Sequence, residues 1–377
     1  MRRLIIAVAI IATTQLTGVA QQLHFKQLVN RKNAEWFASP EALAAADSVV
    51  KYQFPSGGWA KNIDWNLPAE GKRLKARQEV WQQMHSERGV GSTIDNGATT
   101  SELTLLAKVC RAIEGQKAEK RRLKTYRETF RKGIGYLLEA QYDNGGWPQY
   151  YPFKPLNSEG HAFYSNHITF NDNAMVSVMR LLQAVSEERK PFDAVQLPEK
   201  DKVRAREAFM RGVQCVLDCQ IKKDGKLTVW CQQHDEKTLL PAPARAYELA
   251  SFTGSHETPE LLELLMSLKE PSDSVIAAVT AAVEWLKAHA LQDMKLEVFT
   301  NADGQHDRRL VHRFGATVWA RYYDLQTEEP YVCDRDGVPQ PSLEYIGYER
   351  RNGYGWYGTQ PQDVIDAFPE WIKKKRP

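Results

Sequence analysis

Apolar residues recur at helical spacing in seven separate stretches of this chain. Ser39-Pro40-Glu41 signals the first start, a hydroxyl cap followed by proline at the first helical position, and that helix runs to about Lys51. Between residues 102 and 113, apolar side chains fall at 103, 106, 109, 110 and 113. Tyr126, Phe130, Ile134, Leu137 and Leu138 mark a third helix, and Met175, Val178, Met179, Leu182 and Val185 a fourth. Ala205, Phe209, Val213, Val216 and Leu217 mark a fifth, and residues 261–268 and 275–286 supply two more. The period changes between residues 296 and 323, where Val298-Phe299, Leu310-Val311 and Val318-Trp319 are short β-prone stretches that predict a small sheet. The loops between helices concentrate Gly, Asn, Asp, Pro and aromatics, and function tends to sit on such loops above a rigid scaffold. No linker divides the chain, so residues 21–377 are expected to form one domain.

Two helices end in the same way. Gln53-Phe54-Pro55-Ser56-Gly57-Gly58-Trp59 and Gln141-Tyr142-Asp143-Asn144-Gly145-Gly146-Trp147 both fit Q-x-x-x-G-G-W. A looser copy follows the fifth helix, where Gln220 precedes Asp224-Gly225 and Trp230. A helix that ends in Gln, turns through glycine and presents Trp, used repeatedly, predicts an array of helical hairpins. The expected class is mostly α, an incomplete α/α toroid with a few short strands towards the C-terminus.

Composition narrows this little: 26% of the 377 residues are charged and the net charge is +3. The basic residues are scattered, so no nucleic-acid footprint is visible. Lys373-Lys374-Lys375-Arg376 reads as a frayed, solvated end. Residues 1–20 carry the marks of a leader: Arg2-Arg3, an apolar run from position 4 to 12, and Gly18-Val19-Ala20 before Gln21. A secreted or periplasmic bacterial protein is expected, with no membrane association after cleavage. The five cysteines are an odd count with no C-x-x-C pair, which argues against a disulfide framework or a thiolate zinc site. Cys215 and Cys219, one helical turn apart, read as small core residues.

Four loops could carry chemistry. Thr93-Ile94-Asp95-Asn96-Gly97-Ala98-Thr99-Thr100 stands before one helix, and His167-Ile168-Thr169-Phe170-Asn171-Asp172-Asn173-Ala174-Met175 before another. Thr99, Thr100 and Asp172 could simply cap those helices. Asp95 and Asp172, read as equivalent positions, could instead converge on a hard cation such as calcium. In the third loop, Arg245 is flanked by Ala and Pro, which suits a guanidinium aimed into a cleft; pairing with Glu236 or Glu248 is the plainer reading. Arg335 sits in the turn Cys333-Asp334-Arg335-Asp336-Gly337, and the run Gly353-Tyr354-Gly355-Trp356-Tyr357-Gly358 follows. G-x-S-x-G, P-loop and H-E-x-x-H motifs are absent.

Taken in order, these strings resemble polysaccharide lyase family 10, pectate lyases with an α/α toroid. The matching pieces are Ser56-Gly57-Gly58-Trp59-Ala60-Lys61-Asn62, the Thr93 loop, Gln141 to Pro152, Ile168 to Met175, and Thr228-Val229-Trp230-Cys231-Gln232-Gln233-His234-Asp235-Glu236 through Glu248. The resemblance runs from about residue 40 to 358. It implies calcium-assisted anti-β-elimination on α-1,4-polygalacturonate by a monomer, yielding unsaturated oligogalacturonides. It implies Ca2+ held by Asp95 and Asp172, Asn96 as a substrate or metal contact, Arg245 as catalytic base, and Arg335 gripping a uronate carboxylate. Trp59 and Trp147, close to those loops, are expected to border the sugar path. The family usually reads Asn-Asp-Asp-Ala-Met where this chain has Asn173 in place of the second acid.

The chemistry is demanding. The proton at C5 of a galacturonate lies α to a carboxylate, so its removal adds negative charge to an anion, and a cation must offset that charge. Arginine, with a free pKa of about 12.5 or more, serves as base only where its neutral form is accessible, so an alkaline optimum is expected. The repeat alone leaves three other readings open: an inverting glycoside hydrolase with two carboxyls, a terpenoid cyclase, and a non-catalytic binder of acidic glycans. The cyclase reading lacks its D-x-D-D motif.

Overall fold

A computed structural model describes residues 24–65, 91–152 and 164–375. The leader and Arg376 lie outside the described residues. After a short α1 (Phe25–Val29), the helices form two layers. α2 (Pro40–Lys51), α4 (Lys120–Glu139), α6 (Glu199–Asp218) and α8 (Asp273–Ala288) touch in succession as an outer layer. α3 (Thr100–Ile113), α5 (Ala174–Ser186), α7 (Glu257–Met266) and α10 (Pro361–Lys375) touch in succession inside it, with the short α9 (Tyr348–Gly353) before the last. This is the incomplete α/α toroid that the repeat predicts.

The repeat makes the same contacts each time. Gln53 Nε2 donates to Gly57 O in its own turn and to Thr129 O in the next outer helix, at 2.8 and 2.9 Å. Gln141 does the same with Gly145 O and Ala208 O, and Gln220 with Thr228 O and Ala278 O. The indoles of Trp59, Trp147 and Trp230 donate to Val49 O, Leu137 O and Val216 O, each in the outer helix just ended. Each such bond contributes about 1 kcal/mol net. Gly57 (φ +102°) and Gly145 (φ +89°) are required twice over, because a Cβ there would stand 2.5 Å from Lys132 O and 2.2 Å from Arg211 O.

A fourth copy escapes the sequence pattern. Trp319 Nε1 donates to Leu286 O at 2.7 Å, repeating the indole bond. Between that outer helix and its Trp stands the ribbon β6 (Leu291–Thr300) and β7 (His306–Ala320), far longer than the strands expected there. β11 (Tyr357–Gly358) pairs with the end of β7. A second sheet has the order β10 (Pro339–Gln340), β9 (Pro330–Cys333), β8 (Tyr322–Asp324), β5 (Ser251–Thr253). Two small antiparallel pairs are the remaining strands among the described residues: β1 (Ile168–Thr169) with β4 (Gln233–His234), and β2 (Lys222–Lys223) with β3 (Lys226–Leu227).

Some local expectations change. Ser39 caps α2 as expected, accepting from Ala42 N at 3.2 Å. The capping box expected at Thr99 is absent: Thr99 adopts φ 65°, ψ −50° and makes no side-chain cap bond. Its hydroxyl instead accepts from Trp59 N and donates to Thr93 O. Asp172 is not the cap of α5; Asn173 holds that position, also without a side-chain cap bond. The basic tail is helical through Lys375, whose ammonium reaches Lys269 O. All five cysteines are free and buried, with the Cys215 and Cys219 sulfurs 4.0 Å apart, too far for a bridge. No helix among the described residues is long and apolar enough to cross a membrane.

Candidate active site

The inner helices begin at loops fixed by the repeat. Thr93 N donates to Trp59 O, Thr169 N to Trp147 O and Thr253 N to Trp230 O, at 3.1, 3.0 and 2.8 Å. Three residues beyond each threonine stand Asn96, Asp172 and His256, and all three line one cavity of about 670 Å³. Asn96 and Asp172 share a left-handed conformation, φ 52° and 50°, which Asn and Asp tolerate better than most residues. This corrects the sequence-based equivalence. Asp172 matches Asn96, while Asp95 matches Asn171, and both members of that second pair are buried.

Asp95 is an acceptor held at one oxygen. Lys61 Nζ forms a short ion pair with Oδ2. Oδ1 is buried with no hydrogen-bond partner. Burial would lower the Lys61 pKa, but the Asp95 carboxylate outweighs it and holds the ammonium above its ordinary value. Asn96 Nδ2 donates to Asn62 Oδ1 at 3.2 Å. Asp172 is half-exposed; its Oδ1 accepts from Arg321 Nη2 at 3.3 Å and its Oδ2 from Asn171 Nδ2 at 3.1 Å.

Arg245 has a partner, which the plainer sequence reading had allowed. Nε donates to Glu248 Oε2 at 2.7 Å, Nη2 donates to Oε1, and the backbone N reaches Oε2 at 3.2 Å. Burial alone would lower this guanidinium's pKa; the hydrogen bonds and charge of Glu248 raise it well above the ordinary value. Nη1 carries no hydrogen bond among the described residues, so one edge of the group is fixed and the other is open. Glu248 is 1% exposed and also accepts from Tyr354 OH at 2.7 Å.

From Tyr354 a continuous network returns to Asp172. Tyr354 OH and Tyr322 OH are 2.6 Å apart, and the Arg321 guanidinium lies 4.7 Å from the Tyr354 ring centre. Arg321, 4% exposed, pairs with the fully buried Glu257 and reaches Asn171 Oδ1 at 3.1 Å as well as Asp172. Beside it the His256 pKa is pushed down to about 3, first by burial and then by Arg321, so that imidazole is neutral across any working pH. Tyr164 feels the charges of both parts of the site. Burial raises its pKa, and the charges of Arg245, Lys61, Glu248 and Asp95 all act on its hydroxyl.

The outer end is a cluster of guanidiniums. Those of Arg350, Arg245 and Arg335 lie 4.4, 5.0 and 5.7 Å from the ring centre of Tyr247. Arg335 is exposed and shares Glu349 with Arg350. Such a concentration of cations beside an open edge suits a polyanionic chain.

The geometry thus joins Asp95, Asn96, Asp172 and Arg245 and leaves Arg335 on the rim. It does not place Trp59 or Trp147 on a sugar path: both indoles are 0% exposed, and their N–H groups are spent on the framework. Sequence reasoning missed Lys61, Tyr164, Arg321 and Arg350. Lys61 and Tyr354 lie inside strings already singled out, but nothing in the sequence pairs Arg321 with residues 64 and 149 positions away.

The comparisons with known proteins agree with this layout. The family model described as pectic acid lyase matches residues 53–365. A family 10 polysaccharide lyase from Cellvibrio cellulosa superposes with a TM-score of 0.71 at 31% identity, covering 90% of this chain and 95% of that one. A point mutant of that lyase, in complex with trigalacturonic acid, superposes at 0.70 and 31% over 89% of this chain and 95% of that one. The search of curated proteins gave no match. A match over 313 residues, spanning every loop that builds the site, shows that the chain belongs to the pectic acid lyase family, polysaccharide lyase family 10.

Proposed function

We infer that the protein is a pectate lyase that cleaves α-1,4-polygalacturonate by anti-β-elimination, with Arg245 as the base. The observation that carries the reading is the one-sided anchoring of Arg245. Glu248 holds Nε and Nη2, Nη1 has no hydrogen bond among the described residues, and Asp95 keeps an unpaired buried oxygen. A base oriented by a second group is a recurrent catalytic arrangement. The orientation has an energetic consequence, because Glu248 favours the protonated guanidinium. Activity should therefore climb with pH well into the alkaline range.

Lys61 and Arg335 are the cations that would receive uronate carboxylates along the cleft, with the buried Arg350 holding Glu349 beside Arg335. The donors fit a hard cation in kind: Asp95 Oδ1 is an orphaned buried oxygen, and Asp172 presents a half-exposed carboxylate. Lys61 holds one oxygen of Asp95, and Arg321 and Asn171 each hold one oxygen of Asp172. Asp172 would therefore offer its remaining lone pairs, and water and substrate oxygens would complete the shell, Asn173 offering an amide where an acid is usual. Bound there, calcium would neutralise the uronate carboxylate and so stabilise the charge built at C5. Asn96 would contact that same carboxylate or ion.

The hydrolase reading fares worse. An inverting hydrolase needs one carboxyl to donate a proton, yet Asp95 and Asp172 both accept from cationic donors. The leader at 1–20, secretion to the periplasm or medium, a single catalytic domain over 21–377 and a monomeric state belong to the same proposal. The test is incubation of purified protein with polygalacturonate, with calcium or with chelator, followed by ultraviolet absorbance. Unsaturated products that need calcium support the reading. Saturated products, or binding without product, refute it.

A further inference from the structure

Three metal-capable side chains meet beside the cleft and have no part in the reaction above. β1 and β4 pair antiparallel with Ile168 opposite His234, so one step outwards His167 stands opposite Asp235, with Glu236 next along the chain. The donor atoms of His167, Asp235 and Glu236 lie within 4.8 Å of one another. His167 Nδ1 and Glu236 Oε2 are 2.9 Å apart. Tetrahedral ligands about 2.1 Å from one ion stand roughly 3.4 Å apart, so a small side-chain rotation reaches coordinating geometry. Each residue is anchored by contacts that leave a donor spare. Asp235 Oδ1 accepts from Lys237 N, Thr238 N and Thr238 Oγ1, leaving Oδ2. Asn144 Nδ2 holds the main-chain O of Glu236, and His167 N donates to Tyr164 O. The His167 and Glu236 side chains are 17% and 20% exposed, sheltered but reachable.

We propose that His167, Asp235 and Glu236 form a binding site for a borderline divalent transition metal, of which Zn2+ is the representative. One imidazole with two carboxylates suits zinc, nickel or manganese, whereas calcium prefers a shell of oxygens alone. Water would fill the remaining position. The ligands come from the approach to Asp172 and from the segment after β4, which Asn144 ties to the second Gly-Gly-Trp turn, so a bound ion clamps two loops of the cleft. Its role is structural, and it is separate from the pair Asp95 and Asp172.

The test is isothermal titration of the untagged, chelator-stripped full chain with zinc chloride and, separately, with calcium chloride. Wild type should bind one zinc equivalent, undisturbed by calcium. His167→Ala and Glu236→Gln should each bind at least about tenfold more weakly, and only the wild type should gain melting temperature with zinc. Circular dichroism without metal checks that each variant folds, and either folded variant suffices. Zinc binding equal to wild type in a folded variant, no saturable zinc binding by wild type, or displacement of zinc by calcium would overturn the proposal. None of these readouts depends on pectate cleavage.

Discussion

Replacing Glu248 by Gln isolates the tension built into the proposed base. The amide keeps the side-chain size but removes the charge, and at one of its two ends an N–H stands where an oxygen accepted from Arg245. A hydrogen bond to a charged group is worth about 1.5–3 kcal/mol. The Arg245 side chain is 40% exposed, so solvent screening brings the expected loss to the low end, roughly 1.4 kcal/mol, equivalent to about one pH unit. The sign follows from the direction of the shift. Glu248 raises the guanidinium's pKa, so its loss makes neutral Arg245 more accessible. Where only the neutral form is active, log kcat rises with unit slope below the pKa. In Glu248→Gln that line should move about one unit towards lower pH, or about tenfold in rate at fixed pH, less whatever looser positioning removes. Glu248→Ala should move it similarly but with a larger drop in rate, because nothing then orients the group. The assay is the initial rate of unsaturated product across the alkaline range at saturating substrate. A profile in folded Glu248→Gln superimposable on wild type would refute Arg245 as the titrating group.

Other perturbations test the framework. Gly145→Ala should destabilise by 2 kcal/mol or more, since the position has φ +89° and the new Cβ would meet Arg211 O; chemical denaturation measures it. Trp147→Phe, which loses only the bond to Leu137 O and part of the indole, should lower stability by about 1–2 kcal/mol while leaving KM unchanged; an altered KM would restore this Trp to the sugar path. Glu102 is fully buried against Trp65 Nε1, and burial raises its pKa from 4.5 to about 7. Its stabilising effect is therefore complete below about pH 4.5 and lost as pH rises through 7. Glu102→Gln should remove that decline, with a gain on the order of 3 kcal/mol at most above pH 7, read from melting temperatures across this range.

The parts of the fold that were legible from the chain are those written locally. Apolar stripes placed the helices, and Gln-Gly-Gly-Trp marked three of the four hairpins, because each copy closes a turn within ten or so residues. The fourth was hidden by the ribbon between Leu286 and Trp319, which separates the indole from its acceptor by 33 positions. The loops carrying Asp95, Asp172 and Arg245 stood out as polar clusters before helices. Their interior alignment did not, since the pairing of Asp172 with Asn96 appears only in the shared left-handed backbone. The role of Trp59 and Trp147 was misread because a Trp beside a polar loop looks the same in sequence whether its ring faces out or in. The Arg321–Tyr354–Glu248 bridge joins residues 33 and 106 positions apart and has no local signature.

The most direct measurement of the central claim compares wild type with Arg245→Ala on polygalacturonate in the presence of calcium, following unsaturated product while trigalacturonic acid binding is measured in parallel. The account predicts loss of kcat by about 10³-fold or more with binding retained within a few-fold, as expected when a base that acts in the transition state is removed. An Arg245→Ala enzyme within about tenfold of wild type, folded and binding normally, would contradict it.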